Sequence, residues 1–123
     1  MLRKSIQALA LCLLCVGQLA AQTESPQDTQ RGELIWRDPT CFFFVLKVDK
    51  HYALFEFLGG PSPMVGHFFE GKLTGFGSRR IENATEGKPT MVYSEVYDLS
   101  KAEMEKKIPR FCKKRKEFEA LDG

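Results

Sequence analysis

Five apolar residues stand in a row at Phe42-Phe43-Phe44-Val45-Leu46, and no other stretch constrains the fold of this chain as much. A strand turns alternate side chains to opposite faces, so an unbroken apolar run needs cover on both. Alternation returns at Leu46-Lys47-Val48-Asp49, where the strand nears solvent. After Asp49-Lys50-His51 a second run begins. It sets Ala53, Phe55 and Phe57 on one face, and Tyr52, Leu54, Glu56 and Leu58 on the other. Two such runs joined by a short polar connection predict a hairpin over residues 42–58. The rest of the chain must cover this hairpin or pin it.

Short strands are expected around it. Residues 33–37 form the first, and Asp38-Pro39-Thr40 bends the chain because Pro39 has no ladder donor. Gly59-Gly60-Pro61-Ser62-Pro63 breaks the chain after the hairpin. A strand over residues 65–73 is expected to bend at its glycines, and glycines 75 and 77 follow as barrel-corner material. Residues 78–82 read as a short strand and 83–88 as a polar loop. Residues 90–98 read as the last strand, with Val92 and Val96 inward. Ser100-Lys101-Ala102-Glu103 has the form of a capping box and starts a helix. Met104, Ile108, Phe111, Arg115 and Phe118 share one stripe of it, and Pro109 should kink or divide it near residue 108. The fold class is mainly β: a small antiparallel curled sheet, or an OB-like or SH3-like barrel of four to six strands, with one C-terminal helix.

The N-terminus reads as an address. Arg3 and Lys4 precede an apolar segment over residues 6–17, and small Ala20 and Ala21 precede polar Gln22. This is the pattern of a secretory signal peptide, residues 1–21, cleaved after Ala21; the apolar segment is too short to span a bilayer. Leu11 and Leu14 precede Cys12 and Cys15 where a lipidated cysteine needs a small residue, so both cysteines go with the signal. Residues 22–31 are a polar, disordered lead, 32–119 one small domain, and 120–123 a frayed tail. Removing Arg3 and Lys4 from the 18 basic residues leaves as many basic as the 16 acidic ones. Net charge thus gives no reason to expect nucleic acid or anionic membrane as a partner.

Cys41 and Cys112 are then the only cysteines left, in an oxidising compartment, and are expected to pair. In the chain-entropy model a bridge closing so long a loop contributes about 4 kcal/mol.

The chemistry-bearing residues are sparse. His51 falls in the hairpin turn. His67 stands beside two phenylalanines with Glu70 three positions on, where strand geometry points the two apart, so no metal site is expected. No Gly-x-Ser-x-Gly elbow and no phosphate-binding glycine loop is present. Glu56, Glu70 and Glu95 are candidates for paired-carboxylate chemistry. Glu56 interrupts an otherwise apolar strand, as an edge residue paired with Lys or Arg would. Residues 101–116 carry eight basic and two acidic side chains, a solvated helix face or a surface for anionic polymer or lipid. Asn83-Ala84-Thr85 is a glycosylation sequon in an expected loop.

The expectation is an exported, periplasmic or extracellular, disulfide-stapled domain that binds an envelope protein or glycan without catalysis, without cofactor or metal, and without a transmembrane segment in the mature chain. The candidate surface comprises His67, Phe68, Phe76, Arg79, Arg80, Tyr93 and Tyr97. A small envelope hydrolase using Glu56, Glu70 or His67 is the alternative, with anionic polymer or lipid binding through the basic helix as a third reading.

Overall fold

The computed structural model describes residues 29–110 and 112–121. The signal segment, its cysteines, Phe111 and residues 122–123 lie outside the described residues, as does the lead up to residue 28. Six strands form: β1 (Gln30–Asp38), β2 (Phe43–Val48), β3 (His51–Gly59), β4 (Phe68–Gly71), β5 (Gly77–Asn83) and β6 (Lys88–Leu99). They close into an antiparallel barrel in the order β1-β2-β3-β6-β5-β4, with β4 pairing back onto β1. Two three-strand meanders are thus joined by the crossover from β3 to β4.

The expected hairpin is β2–β3, with Phe44 opposite Phe55 and Leu46 opposite Ala53. Both faces of the apolar run are covered. Phe44, Leu46, Ala53 and Phe55 point into the barrel beside Phe69 and Ile81. Phe44 stacks on Phe55 and on Phe69, at 5.7 Å in each case. Val45, Tyr52 and Leu54 point outward and are buried with Met104, Ile108 and Phe118. Each such side chain contributes about 1.5–3 kcal/mol on burial, so the chain has two cores on either side of one hairpin.

Two bulges assign residues between these cores. The β1–β2 register shifts between Leu34 and Trp36. Leu34 therefore lies inside the barrel, whereas Trp36, two positions on, lies in the outer core. The β3–β6 register shifts beside Glu95 in the same way. Val92 faces inward as expected, but Val96 packs in the outer core, because one extra residue turns the side chains that follow it over until the next register shift, between Tyr52 and Leu54.

The expected strand over 65–73 is shorter. Gly66, Gly71, Gly75 and Gly77 all have positive φ and lie in loops or at strand ends, so they end strands rather than bend one. Gly60 (φ 107°) is required twice, since a Cβ there would come within 2.7 Å of the Pro89 carbonyl oxygen. Phe42 is not in the strand; it belongs to the turn before β2.

The capping box forms, Glu103 N–H donating to Ser100 Oγ and Ser100 N–H to Glu103 Oε1. The helical region is two helices, not one. α1 (Lys101–Lys107) stops before Pro109, which disfavours helix at Ile108, and α2 (Arg115–Glu119) follows a turn. The Cys41–Cys112 disulfide is present, with Cα atoms 5.4 Å apart.

Candidate functional site

The barrel has an upper end, with the β1–β2 turn, the β3–β4 crossover and the β5–β6 turn, and a lower end at Asp49-Lys50. The upper end is built on Asp38. Its carboxylate accepts from the Thr40 amide (2.9 Å) and hydroxyl (2.6 Å), and from the Lys114 amide (2.8 Å). Burial pushes the Asp38 carboxyl up, but the hydrogen bonds from Thr40 and Lys114, with the Lys114 charge, outweigh it and hold the carboxyl below its ordinary value. The Asp38 carbonyl accepts the Phe42 amide (3.0 Å), closing the turn. Trp36 Nε1 donates to the Lys114 carbonyl at 3.0 Å. The segment between the helices is therefore fastened by Asp38, Trp36 and the disulfide.

This turn holds Phe42 at φ 59° with 61% of the residue exposed. The left-handed region costs a residue with a Cβ about 1 kcal/mol or more, and glycine or asparagine is its usual occupant. A bulky aromatic there gains only partial burial in return.

The crossover loop is strapped down beside it. Arg37 Nη1 donates to Ser62 Oγ (3.0 Å) and to the Pro63 carbonyl, and approaches Met64 Sδ. Gly66 N–H donates to the Leu34 carbonyl (2.8 Å), and Leu34 N–H to the His67 carbonyl (2.9 Å). Met64 and Val65 are left at the tip, 52% and 63% exposed. Between loop and turn lie a pocket of about 100 Å³, walled by Phe42, Phe43, Phe57 and Pro63, and a groove of about 660 Å³. Ile35, Trp36, Met64, Val65 and Leu121 line the groove, with Lys114 and Glu117 on it. Arg37, Pro39 and Ser62 border both, so the two adjoin.

The residues singled out from the sequence are spread around the barrel. His67 lies at the upper end, its Nδ1 3.1 Å from Asn83 Nδ2 and its Nε2 3.4 Å from Glu86. Phe68 lies under the Arg31 guanidinium, 4.5 Å from ring centroid to carbon. Phe76 and Tyr97 come together at the lower end, ring to edge at 5.2 Å. Arg79 is turned into the β4–β5 loop, donating to the Lys72 (2.8 Å), Thr74 and Phe76 (3.0 Å) carbonyls. Arg80 and Tyr93 are exposed on the outer wall of β5 and β6. His51 meets Asp98 at 3.5 Å beside the lower turn.

The carboxylates divide. Strands β3 and β4 stand across the barrel from each other, and Glu56 and Glu70 both flank inward residues, so they face outward in opposite directions. Glu70 pairs with Arg31 at 3.4 Å. Glu56 is not an edge residue, since the barrel is closed; it lies against Glu95. Burial, then the Glu56 charge and a hydrogen bond with Glu56, raise the Glu95 carboxyl. Asn83 is at the end of β5 rather than in a loop, fully buried, with its Oδ1 accepting the Glu86 amide (3.0 Å). A glycan on its amide nitrogen is incompatible with this packing.

Asp38 and the sulfurs of Cys41 and Cys112 lie within 4.8 Å of one another, but the sulfurs are bonded to each other and offer no thiolate. No helix among the described residues is long and apolar enough to cross a membrane. Sequence reading missed Phe42, Met64 and Val65. The signal was there in Asp38-Pro39-Thr40, a turn that reaches into the apolar run, and in two apolar residues following Pro-Ser-Pro. No family model, curated protein or solved structure matches this chain.

Proposed function

We propose that the protein is an exported, non-catalytic binding module, one domain freed of a signal at residues 1–21, and that the upper end of its barrel is the binding end. The observation that carries this reading is Phe42: a large aromatic held in a left-handed conformation and turned to solvent, beside exposed Met64 and Val65 and an apolar groove. Exposed apolar patches and backbone strain both concentrate where proteins bind. The disulfide, Asp38 and Trp36 hold this end rigid, which lowers the entropy lost on binding. The hydrolase reading draws no support from Glu56, Glu70 and His67, which do not converge.

The test is a pull-down from envelope extract of the source cell, using the oxidised protein and a Phe42→Ser/Val65→Ser variant whose melting temperature matches. Components retained by the native protein and lost by the variant support the reading. Identical recoveries contradict it.

A further inference from the structure

The charge on this chain is segregated. Residues 106–116 carry seven basic side chains and no acidic one, against 11 basic and 16 acidic side chains in the rest of the chain. Lys106, Lys107, Arg110, Lys113 and Lys116 are exposed and have no ion-pair partner among the described residues. Arg110, Lys113, Arg115 and Lys116 line one shallow surface with Cys112 and Glu119, which pairs with Arg115 at 3.4 Å.

That basic surface is fixed beside the apolar tips. The cysteine Cα atoms are 5.4 Å apart, so adding one residue step of about 3.8 Å on each side puts the Cα atoms of Phe42 and Lys113 within about 13 Å. Lys114 also lines the groove together with Met64 and Val65.

Exposed apolar side chains on loop tips, flanked by unpaired lysines, meet the requirements of a lipid surface. Apolar insertion and electrostatic attraction to anionic headgroups act as two weak signals that add. A protein partner is less well matched, because lysine is depleted at protein interfaces. The closed barrel also offers no strand edge for β-addition. Building on the upper end as the binding end, we propose that its partner is a bilayer surface bearing anionic lipid, with Phe42, Met64 and Val65 inserted at the headgroup boundary and the basic segment on the headgroups.

The experiment is vesicle co-sedimentation of the protein as exported, disulfide intact and N terminus read by mass spectrometry. Vesicles of phosphatidylcholine alone are compared with phosphatidylcholine mixed with phosphatidylglycerol. The expected result is binding about tenfold or more tighter to the anionic vesicles, weakening as salt rises. Phe42→Ser/Val65→Ser and Lys113→Glu/Lys116→Glu should each lower it about tenfold, with melting temperatures near the native one. Phe76→Ser at the lower end should leave it unchanged. Equal binding to both vesicles, or none, overturns the lipid partner. If the Phe42→Ser/Val65→Ser variant then still loses a component of the envelope extract, the binding end stands with a different occupant. Anionic binding that is indifferent to Phe42→Ser/Val65→Ser overturns insertion and leaves only a basic surface.

Discussion

The two ends of this barrel are finished by different rules. At the lower end, the positive φ of the β2–β3 turn falls on Asp49, a residue type that tolerates it. The loop before β5 is filled by Arg79 and by Ser94 Oγ, which donates to the Gly75 carbonyl at 2.6 Å. Its one large exposed aromatic, Phe76, leans on Tyr97. At the upper end the positive φ falls on a phenylalanine, and three apolar side chains face solvent around a groove. The lower end follows the chemistry that stabilises a turn. The upper end departs from it while being fastened by the disulfide, Asp38, Trp36 and Arg37. Strain held by a rigid frame is what the proposed binding role would require of this end.

Four substitutions test how differently the two ends are held. The largest effect should come from Cys41→Ser/Cys112→Ser, which removes about 4 kcal/mol of constraint. Denaturant unfolding should show it, and hydrogen exchange should rise first in the segment around Lys114. An equal rise at both ends would erase the difference in how they are held.

Asp38→Asn should follow, at about 1.5–3 kcal/mol for weakened charge-assisted hydrogen bonds. Because the folded carboxyl is held below its unfolded value, its contribution is present above the unfolded value and is lost as pH falls through the folded one. The native protein should therefore lose stability in acid more steeply than the variant; parallel pH curves would count against the role given to Asp38.

Phe42→Asn should act in the opposite direction, raising stability by up to about 1 kcal/mol because asparagine accepts the left-handed region. A variant that is more stable but binds less would place function and stability in opposition at this residue. A clear loss of stability would mean that the Phe42 ring supports the fold.

The smallest effect belongs to Glu95→Gln on the outer wall. Its folded carboxyl is raised, so ionisation works against the fold as pH rises above the unfolded carboxylate value. The substitution should stabilise the protein by a few tenths of a kcal/mol near neutrality, with the gain vanishing in acid.

The sequence made the scaffold legible and the proposed binding end largely not. The β2–β3 hairpin could be read because its apolar run is longer than one-sided burial allows. The cysteine pairing followed from the expected compartment and the count, and the break between the helices followed from Pro109. The bulges could not be read, since a single inserted residue at Ile35 or Glu95 leaves no mark in composition. Yet those bulges send Trp36 and Val96 to the outer core. Phe42 was hidden for a related reason. Within five apolar residues nothing distinguishes the one outside the strand, and only the Asp38 turn decides it. Aromatic and basic residues drew attention to Phe76, Arg79 and Tyr97, whereas backbone geometry drew it to Phe42.

The most direct test is solution NMR of the oxidised protein with anionic vesicles carrying a headgroup spin label, read as paramagnetic broadening of backbone amides. The account predicts broadening at Phe42, Val65 and Lys113, with Asp49 and Phe76 unaffected. Broadening centred on Asp49 and Phe76, or spread evenly over the barrel, would contradict it.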